Sequence, residues 1–418
     1  MNASVSILAA HVFSMLGFSS YAVSLVELKA LWAMTNTEAG LVASGFFMGY
    51  MACVSMWNAM TDRHDARGIY FLGCVLSAMG SLGFGVLANG FFSGLFFQLL
   101  LGAGVSATYM PGLRILSERL TGATQSRYVS FYTAFFGIGV AGSLILSGWA
   151  TGALGWRYSF AFAALGPVMA LVLVWLATRH DAPHKPQTEA EQAKVRPMGH
   201  HAFFDMVFPI RSWKIALQEK AVVGFMIGYA VHCMELFGTR AWTVAFLTFS
   251  ISLQAEVPPL QAASLAAIVN LVSTPASILG NEMALKLGRR AWIVLVMTSG
   301  SVVGILMSLL AGAPWWLVLI LVGLQSMLIM ADSATLTAGL VASAPKEVKG
   351  AAMGLYSLLG FGAGAVGPAV FGAALDIAGG GTSIYAWAAA FLAIGLGCLA
   401  FPFIDRRLFG SSPFQKNA

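Results

Sequence analysis

Charged residues are scarce in this chain. They make up 10% of its 418 positions, whereas apolar residues make up 58%, and the mean hydropathy is +0.79. An average soluble domain is about one quarter charged. The shortage of charge therefore excludes an ordinary water-soluble protein and indicates a chain that crosses a lipid bilayer several times.

Cysteine is also rare, with four in the whole chain. All four fall within apolar stretches, far apart and without C-x-x-C spacing, which excludes a disulfide framework and a cysteine-based metal site. The adjacent His200 and His201 have no cysteine or carboxylate at ligand spacing. We therefore expect no metal site and no cofactor. The cysteines are Cys53, Cys74, Cys233 and Cys398.

Twelve uninterrupted apolar stretches follow one another along the chain. Each is close to the ~20 residues that a helix needs to cross ~30 Å of hydrocarbon, and backbone groups in lipid must be satisfied internally. We therefore predict an all-α membrane protein with twelve transmembrane helices. The opening residues lack the positive n-region of a signal peptide, so the first stretch is expected to be a retained helix. The stretches cover residues 4–26, 38–60, 69–89, 91–113, 129–150, 158–178, 220–246, 260–282, 291–312, 314–337, 351–376 and 383–404.

One long hydrophilic segment, residues 179–219, divides the stretches six and six. It contains Pro183, Pro186, Pro197 and the run TEAEQAKVRP, a composition that cannot bury enough apolar surface to fold alone. This organisation predicts an N-terminal six-helix bundle at residues 1–178, a cytoplasmic linker at 179–219 and a C-terminal six-helix bundle at 220–418.

Basic residues give the orientation. All lysines and arginines except Lys29, Arg157 and Arg240 lie in loops after even-numbered spans or near the C-terminus. The positive-inside rule then places both termini in the cytoplasm. We expect the protein to lie in the inner (plasma) membrane of a cell. The net charge of +6 comes from this face, and because it is spread over separate short loops, it disfavours nucleic-acid binding.

The two halves of the chain resemble each other. Residues 98–113 (QLLLGAGVSATYMPGL) align without gaps to residues 325–340 (QSMLIMADSATLTAGL). At nearly the same offset, NAMTDRHDAR at 58–67 pairs with NEMALKLGRR at 281–290, and glycines of span five pair with glycines of span eleven. Three matches at nearly the same offset indicate two six-helix halves of common origin.

The whole chain resembles the major facilitator superfamily, with its twelve spans, its six-plus-six division and its basic central loop. The loop after span two is similar to that family's motif G-x-x-x-D-R-x-G-R-R, although Asn58 and Asp65 replace its two glycines. The resemblance implies a cytoplasmic gate formed by Asp62, Arg63 and Arg67. The second-half copy has a leucine where the aspartate would be, so gating through an acid is expected only in the first half. The sequence also resembles, more loosely, the cyanate- and nitrate-permease-like branch.

Polar residues inside the spans are expected to do the chemistry, because an ionisable group there costs roughly 2.5–3.5 kcal/mol unless it faces a cavity or a partner. Residues seven or eleven apart lie only ~20° out of phase on a helix. Gln98 and Tyr109 of span four therefore share a face, and so do Gln325 and Asp332 of span ten. In the superfamily, spans one, four, seven and ten line a central cavity. Apart from span seven, these spans carry His11, Tyr21, Gln98, Tyr109, Gln325 and Asp332.

Span seven contains the stretch HCMELFGTRAW, with His232, Glu235 and Arg240. One interpretation is an ion pair between Glu235 and Arg240 that braces a kinked helix end. The other is that Arg240 binds an anionic substrate, because its planar fork suits carboxylate or nitrate-like anions and its charge does not titrate. Tyr21, Gln98, Tyr109 and Gln325 would then complete the substrate site, while Glu235, Asp332, His232 or His11 would carry a proton.

Three functions are compatible with this pattern. The preferred hypothesis is a monomeric secondary transporter that takes up a small anion together with protons by alternating access. The alternative is a proton-driven efflux antiporter for drugs or metabolites, which a single unpaired Asp332 would favour. A membrane enzyme or sensor would need a catalytic constellation or a soluble output domain, and the sequence contains neither. We therefore expect that the protein is not an enzyme.

Overall fold

The structure, a computed structural model, describes residues 3–61, 64–181 and 208–410. Every regular element within these ranges is a helix. Eleven helical segments there are long and apolar enough to cross a membrane, and this confirms the predicted all-α membrane architecture.

The helices of the first half follow the apolar stretches closely. They are α1 (Ala3–Ser14), α2 (Ser20–Leu31), α3 (Asn36–Thr61), α4 (Ala66–Leu87), α5 (Phe91–Ser117), α6 (Gly122–Leu154) and α7 (Trp156–Thr178).

The second half begins with a short helix and continues with longer ones. They are α8 (Ile210–Ala216), α9 (Lys220–Ser252), α10 (Ala262–Ser273), α11 (Ala276–Leu287), α12 (Arg289–Leu309), α13 (Trp315–Met330), α14 (Ser333–Ser343), α15 (Lys349–Ile377) and α16 (Ile384–Phe409), with one 3-10 turn at Lys346–Val348.

The first predicted span, residues 4–26, is divided between α1 and α2, and α1 is apolar but short. The break between them is held by Ser143 of α6. Its hydroxyl donates to the carbonyl oxygen of Leu16 at 2.7 Å and accepts from the amide of Ser19 at 2.9 Å. A side chain therefore satisfies backbone groups that a continuous helix would have paired.

Two more spans are interrupted, since α10 and α11 together form one candidate span, and α13 and α14 form another. The first break lies at Thr274 and Pro275, where the proline ring cannot donate a backbone hydrogen bond. The second lies at Ala331 and Asp332, where the sequence has neither proline nor glycine.

The first compact unit comprises residues 1–24 and 45–210. In it α4 packs against α5 and α7, and α1 packs against α6 and α7. Small residues permit the closest crossing: a Cβ on Gly104 of α5 would overlap the backbone of α4 at Ser77. The core around α1 and α4 includes Ile7, Tyr70 and Tyr132.

The second compact unit comprises residues 25–44 and 211–418. Its central helix, α9, packs against α15 and α16, and α12 packs against α16. The unit also contains the end of α2 and the start of α3, a segment that the sequence analysis assigned to the N-terminal bundle. The proposed division into bundles at 1–178 and 220–418 stays a prediction.

Candidate functional site

The polar side chains of the second unit surround α9. His232 on this helix lies against Asp332, which occupies the break between α13 and α14. The imidazole Nδ1 and the carboxylate Oδ1 are 2.7 Å apart, and both side chains are only 2% exposed. Two of the predicted proton carriers therefore form one buried pair.

Glu235 has other partners. The hydroxyl of Ser301 on α12 lies 2.9 Å from its Oε1, and the same hydroxyl lies 3.3 Å from the carbonyl oxygen of Gly395 on α16. The thiol of Cys398 is a further hydrogen-bond partner of this carboxyl group. Glu235 is thus held by α12 and α16, whereas His232 contacts the break in span ten.

Arg240, one and a half turns further along α9, is half-buried. Its Nη2 lies 3.6 Å from the thioether sulfur of Met330 at the end of α13. Within the described residues no carboxylate lies within ion-pair distance of its guanidinium. The bracing pair between Glu235 and Arg240, the first of the two interpretations above, is not formed in this structure.

The glutamine pair of the repeat is buried in both units. Gln98 of α5 and Gln325 of α13 are 3% and 1% exposed. In the described part of the chain, the Nε2 of Gln98 and the Oε1 of Gln325 have no hydrogen-bond partner. The two side chains are therefore alike in their burial, but Gln98 has an unfilled donor and Gln325 an unfilled acceptor.

His11 in the first unit is enclosed by aromatic rings. It stacks on Tyr132 with the ring centroids 3.9 Å apart, and Tyr109 lies 5.3 Å away in a tilted arrangement. Both of its ring nitrogens are buried and have no hydrogen-bond partner among the described residues. The hydroxyl of Tyr132 donates to the carbonyl oxygen of Tyr109 at 2.9 Å. Tyr21 is also buried, and its ring meets that of Phe84 edge-on at 6.0 Å.

The structure brings together two sets of predicted site residues, namely His11 with Tyr109 and His232 with Asp332. Sequence reasoning missed Ser301, Met330 and Tyr132. A single serine or methionine in an apolar span follows no spacing rule, so only the packing of distant helices identifies it.

Of the predicted gate residues, Asp62 and Arg63 lie outside the described residues. Arg67 is described, and it pairs with the carboxylate of Asp65, which also caps α4 by accepting from the amide of Arg67. The guanidinium further donates to the carbonyl oxygens of Thr178 and Asp181 at 3.0 and 3.2 Å. Arg67 therefore ties the start of α4 to the end of α7.

The second half has a related contact. Arg290, the repeat partner of Arg67, binds Asp405 near the end of α16. The acid of this pair comes from a different helix and not from the loop. The expectation that gating through an acid is confined to the first half stays a prediction.

The sequence and the fold both match known proteins. The family profile described as the Major Facilitator Superfamily matches residues 7–368. The chain is 22% identical over 255 residues to the "Probable L-galactonate transporter" of Escherichia coli (strain K12), an alignment that covers 61% of this chain and 55% of that protein. The chain spans from 27% to 55% of the length of the curated relatives it matches.

Solved structures share the fold at low sequence identity. A POT family transporter in complex with 5-aminolevulinic acid superposes with a TM-score of 0.75 at 14% identity, over 97% of this chain and 96% of that chain. A bacterial homolog of the human lysosomal transporter Spinster, inward-facing and unoccupied, gives a TM-score of 0.72 at 16% identity, over 100% of this chain and 99% of that chain.

These matches confirm the predicted fold and the expectation that the protein is not an enzyme. It is a multi-pass membrane protein. The match to the family profile covers most of the chain, and the chain belongs to the Major Facilitator Superfamily.

Proposed function

We propose that this protein is a secondary active transporter that takes up a small organic or inorganic anion together with protons by alternating access. The observation that carries the proposal is the state of Arg240. Its guanidinium is half-buried and, within the described residues, its one close polar contact is the sulfur of Met330.

A thioether is a weak acceptor and carries no charge, so it compensates a guanidinium poorly. An arginine inside a membrane span is costly unless it faces a partner or a cavity. Since Arg240 stays charged at physiological pH and presents two parallel donors, a planar anion such as a carboxylate is the ligand that best fills its fork.

The similarity to the "Probable L-galactonate transporter" supports an organic anion. Galactonate is the anion of a sugar acid and carries one carboxylate at neutral pH. Such a ligand needs a cation for its carboxylate and hydrogen-bonding groups for its hydroxyls. We propose that Arg240 supplies the cation and that Tyr21, Gln98, Tyr109 and Gln325 contribute to the polar part of the site.

Proton coupling belongs to the same proposal. The buried contact between His232 and Asp332 brings an imidazole and a carboxylate together, and an imidazole is a common proton carrier. Glu235 and His11 are further candidates, because both are buried and titratable. We further propose that Asp62, Arg63 and Arg67 form the cytoplasmic gate, and that the protein is a monomer of the inner membrane with both termini in the cytoplasm.

A proton-driven efflux antiporter is the alternative. A single unpaired Asp332 would have supported it, but this carboxylate lies 2.7 Å from the imidazole of His232. The direction of transport is decided by experiment.

The test uses purified protein in proteoliposomes with a neutral interior and an acidic exterior, and labelled L-galactonate as the probe. We expect accumulation that stops when an ionophore collapses the pH gradient. Nitrate and short-chain carboxylates serve as competitors. The anion proposal is wrong if none of these anions binds the protein or is transported. The uptake proposal is wrong if the protein exports the labelled anion against its gradient and does not accumulate it inside the proteoliposomes.

A further inference from the structure

Span ten is interrupted at Ala331 and Asp332, and these two residues and the preceding Met330 each contact a different functional group. The sulfur of Met330 lies 3.6 Å from Nη2 of Arg240. The carbonyl oxygen of Ala331 accepts a hydrogen bond from the indole Nε1 of Trp292 at 3.0 Å. Oδ1 of Asp332 lies 2.7 Å from Nδ1 of His232. One short segment of backbone therefore joins the buried acid–imidazole pair to the candidate anion site.

The break is supported by the surrounding structure. The backbone amide of Leu336 donates to the carbonyl oxygen of Asp332, and this bond starts α14. The carbonyl oxygen of Ala331 precedes that ladder, and Trp292 of α12 provides its donor. A Cβ on Gly280 of α11 would overlap the same carbonyl oxygen, so the backbone of α11 lies directly against it. The indole of Trp292 and the close backbone at Gly280 thus fix the position of this carbonyl group, which has no partner within its own helix.

The other half of the molecule contains a matched segment without a break. By the repeat alignment, Ala103 and Val105 of α5 correspond to Met330 and Asp332. The carbonyl oxygen of Ala103 also accepts from an indole, that of Trp57, at 3.0 Å. However, α5 is continuous from Phe91 to Ser117. Each half therefore has an indole-to-carbonyl bond, but the bonds are not equivalent by the repeat, because Ala103 aligns with Met330 and the acceptor in span ten is Ala331. The break, the thioether and the acid occur in span ten.

We propose that the segment from Met330 to Asp332 is a relay that positions Arg240 according to the charge of the His232–Asp332 pair. This inference rests on the proposed function, because it assigns regulation to the same anion site. Arg240 and Asp332 form no ion pair within the described residues, so the effect passes through the backbone of the break. Met330 and Trp292 are then positioning residues for Arg240.

The sign of the effect follows from the charges. Without its extra proton the pair carries one negative charge. The attraction between this charge and the guanidinium of Arg240 draws the break toward α9. Protonation makes the pair neutral and leaves the charge of Arg240 available to an anion. Proton and anion then bind cooperatively, and anion affinity rises as the pH falls.

Several titratable groups face this pair within the described residues. They lie on α9, on α15 and on α16. Thiols and phenols ordinarily titrate at roughly pH 8 and above, so their charge does not change in the range tested below. The effect of Glu235 must be distinguished by experiment from the effect of the His232–Asp332 pair. The facing groups are Tyr229, Cys233, Glu235 and Arg240 on α9, Tyr356 on α15 and Cys398 on α16.

The first measurement is the dissociation constant of L-galactonate in detergent at about pH 5.5 and about pH 7.5, either side of the ordinary histidine range. We expect the wild type to bind about tenfold more tightly at the lower pH, within the usual range of coupling between sites. Asp332→Asn leaves Glu235 in place and should lose this ratio, which separates the two acids. Trp292→Phe and Met330→Leu should reduce this ratio to about twofold or less. Trp57→Phe removes the indole-to-carbonyl bond of the unbroken helix α5 and should keep the wild-type ratio.

The proposal is overturned if Trp292→Phe and Met330→Leu both fold and both keep the wild-type ratio. It is also overturned if Trp57→Phe lowers the ratio as much as Trp292→Phe, because the break would then have no special role. The pair itself is tested with Asp332→Asn, which should bind the anion with the same affinity at both pH values.

A second measurement does not depend on any anion. Hydrogen exchange of peptides from residues 325–343, corrected for the intrinsic pH dependence of amide exchange, should differ several-fold between the two pH values in the wild type. The difference should vanish in Asp332→Asn, and peptides from α5 should show none. If the wild type binds neither L-galactonate nor nitrate, the proposed function fails while this experiment still decides the relay. Equal corrected exchange at both pH values overturns the relay alone.

Discussion

Arg290 and Asp405 form a two-pronged ion pair. The guanidinium Nε lies 3.0 Å from Oδ1 and Nη2 lies 2.7 Å from Oδ2, which joins the start of α12 to the end of α16. The carboxylate is 3% exposed and the arginine 29%. The arginine also lies over the ring of Phe409, 4.2 Å from its centroid. This contact occupies the place in the second half that Arg67 and its partners occupy in the first.

Asp405→Asn should therefore destabilise the protein. The substitution leaves a poorly solvated guanidinium without its carboxylate, and we expect a loss of about 2 kcal/mol, less than for a fully buried pair because Arg290 is partly exposed. The measurement is the melting temperature in detergent. The control is Glu118→Gln, which breaks the exposed pair between Arg114 and Glu118 on α5 and should cost little. Equal melting temperatures for the two variants would contradict the assignment.

Asp376 at the end of α15 caps the start of α3 from outside that helix. Its carboxylate accepts from the amides of Asn36 and Thr37 at 3.1 and 2.7 Å, and from both of their side chains. Lys29 donates to the side-chain oxygen of Asn36 at 2.7 Å. A carboxylate at a helix N-terminus satisfies amides that have no partner within the helix and meets the positive end of the helix dipole.

Asp376→Ala should lower stability by about 1–2 kcal/mol, since it removes a cap together with two side-chain bonds. The same helix offers a comparison. Glu38 accepts from the amide and hydroxyl of Thr35 in an exposed capping box. Glu38→Ala should cost less, because water replaces the lost bonds. A larger drop in melting temperature for Glu38→Ala than for Asp376→Ala would show that the cap contributes little.

Hydropathy predicted the membrane spans but could not predict where they break. The break at Ala331 and Asp332 has no proline or glycine in the sequence, and it persists because Trp292 supplies a donor from another helix. The break between α1 and α2 depends in the same way on Ser143. Such donors are distant in sequence, so no local pattern indicates them.

Helical phase also gave an incomplete picture of span seven. His232 and Glu235 lie only ~60° apart on a helix, so the two side chains leave α9 on the same broad face. Because α9 is packed on several sides, that angle is enough to give them different partners, Asp332 for one and Ser301 for the other. The positions of polar residues could be predicted from sequence, whereas their pairing depends on which helices pack around them.

Transport measurements can rank the two buried acids of this region, Asp332 and Glu235, by their role in proton coupling. Asp332→Asn should lose accumulation driven by a pH gradient and keep counterflow of labelled L-galactonate, because exchange needs no net proton movement. Glu235→Gln should keep most of its accumulation, since an amide oxygen still accepts from Ser301 and the His232–Asp332 pair is untouched. Normal accumulation by Asp332→Asn would remove this residue from the coupling mechanism, and His11 would become the next candidate.

The last prediction concerns the anion site itself. Arg240→Lys keeps the positive charge but loses the two-pronged donor geometry, so the affinity for L-galactonate should fall by about one to two powers of ten while folding is retained. Arg240→Ala should abolish binding. The measurement is a titration of each purified variant, with its melting temperature as the control for folding.

A double variant separates this site from a bracing ion pair. Glu235 is held by Ser301, while Arg240 contacts Met330, so the two residues share no hydrogen-bond partner among the residues that the structure describes. The effects of Glu235→Gln and Arg240→Gln on stability should therefore add to within about 0.5 kcal/mol. A bracing pair predicts the opposite: either single variant would be unstable because it strands one charge, and the double variant would recover. Transport at the wild-type rate by the double variant would exclude Arg240 as the anion site, because no cation would remain there to meet the substrate.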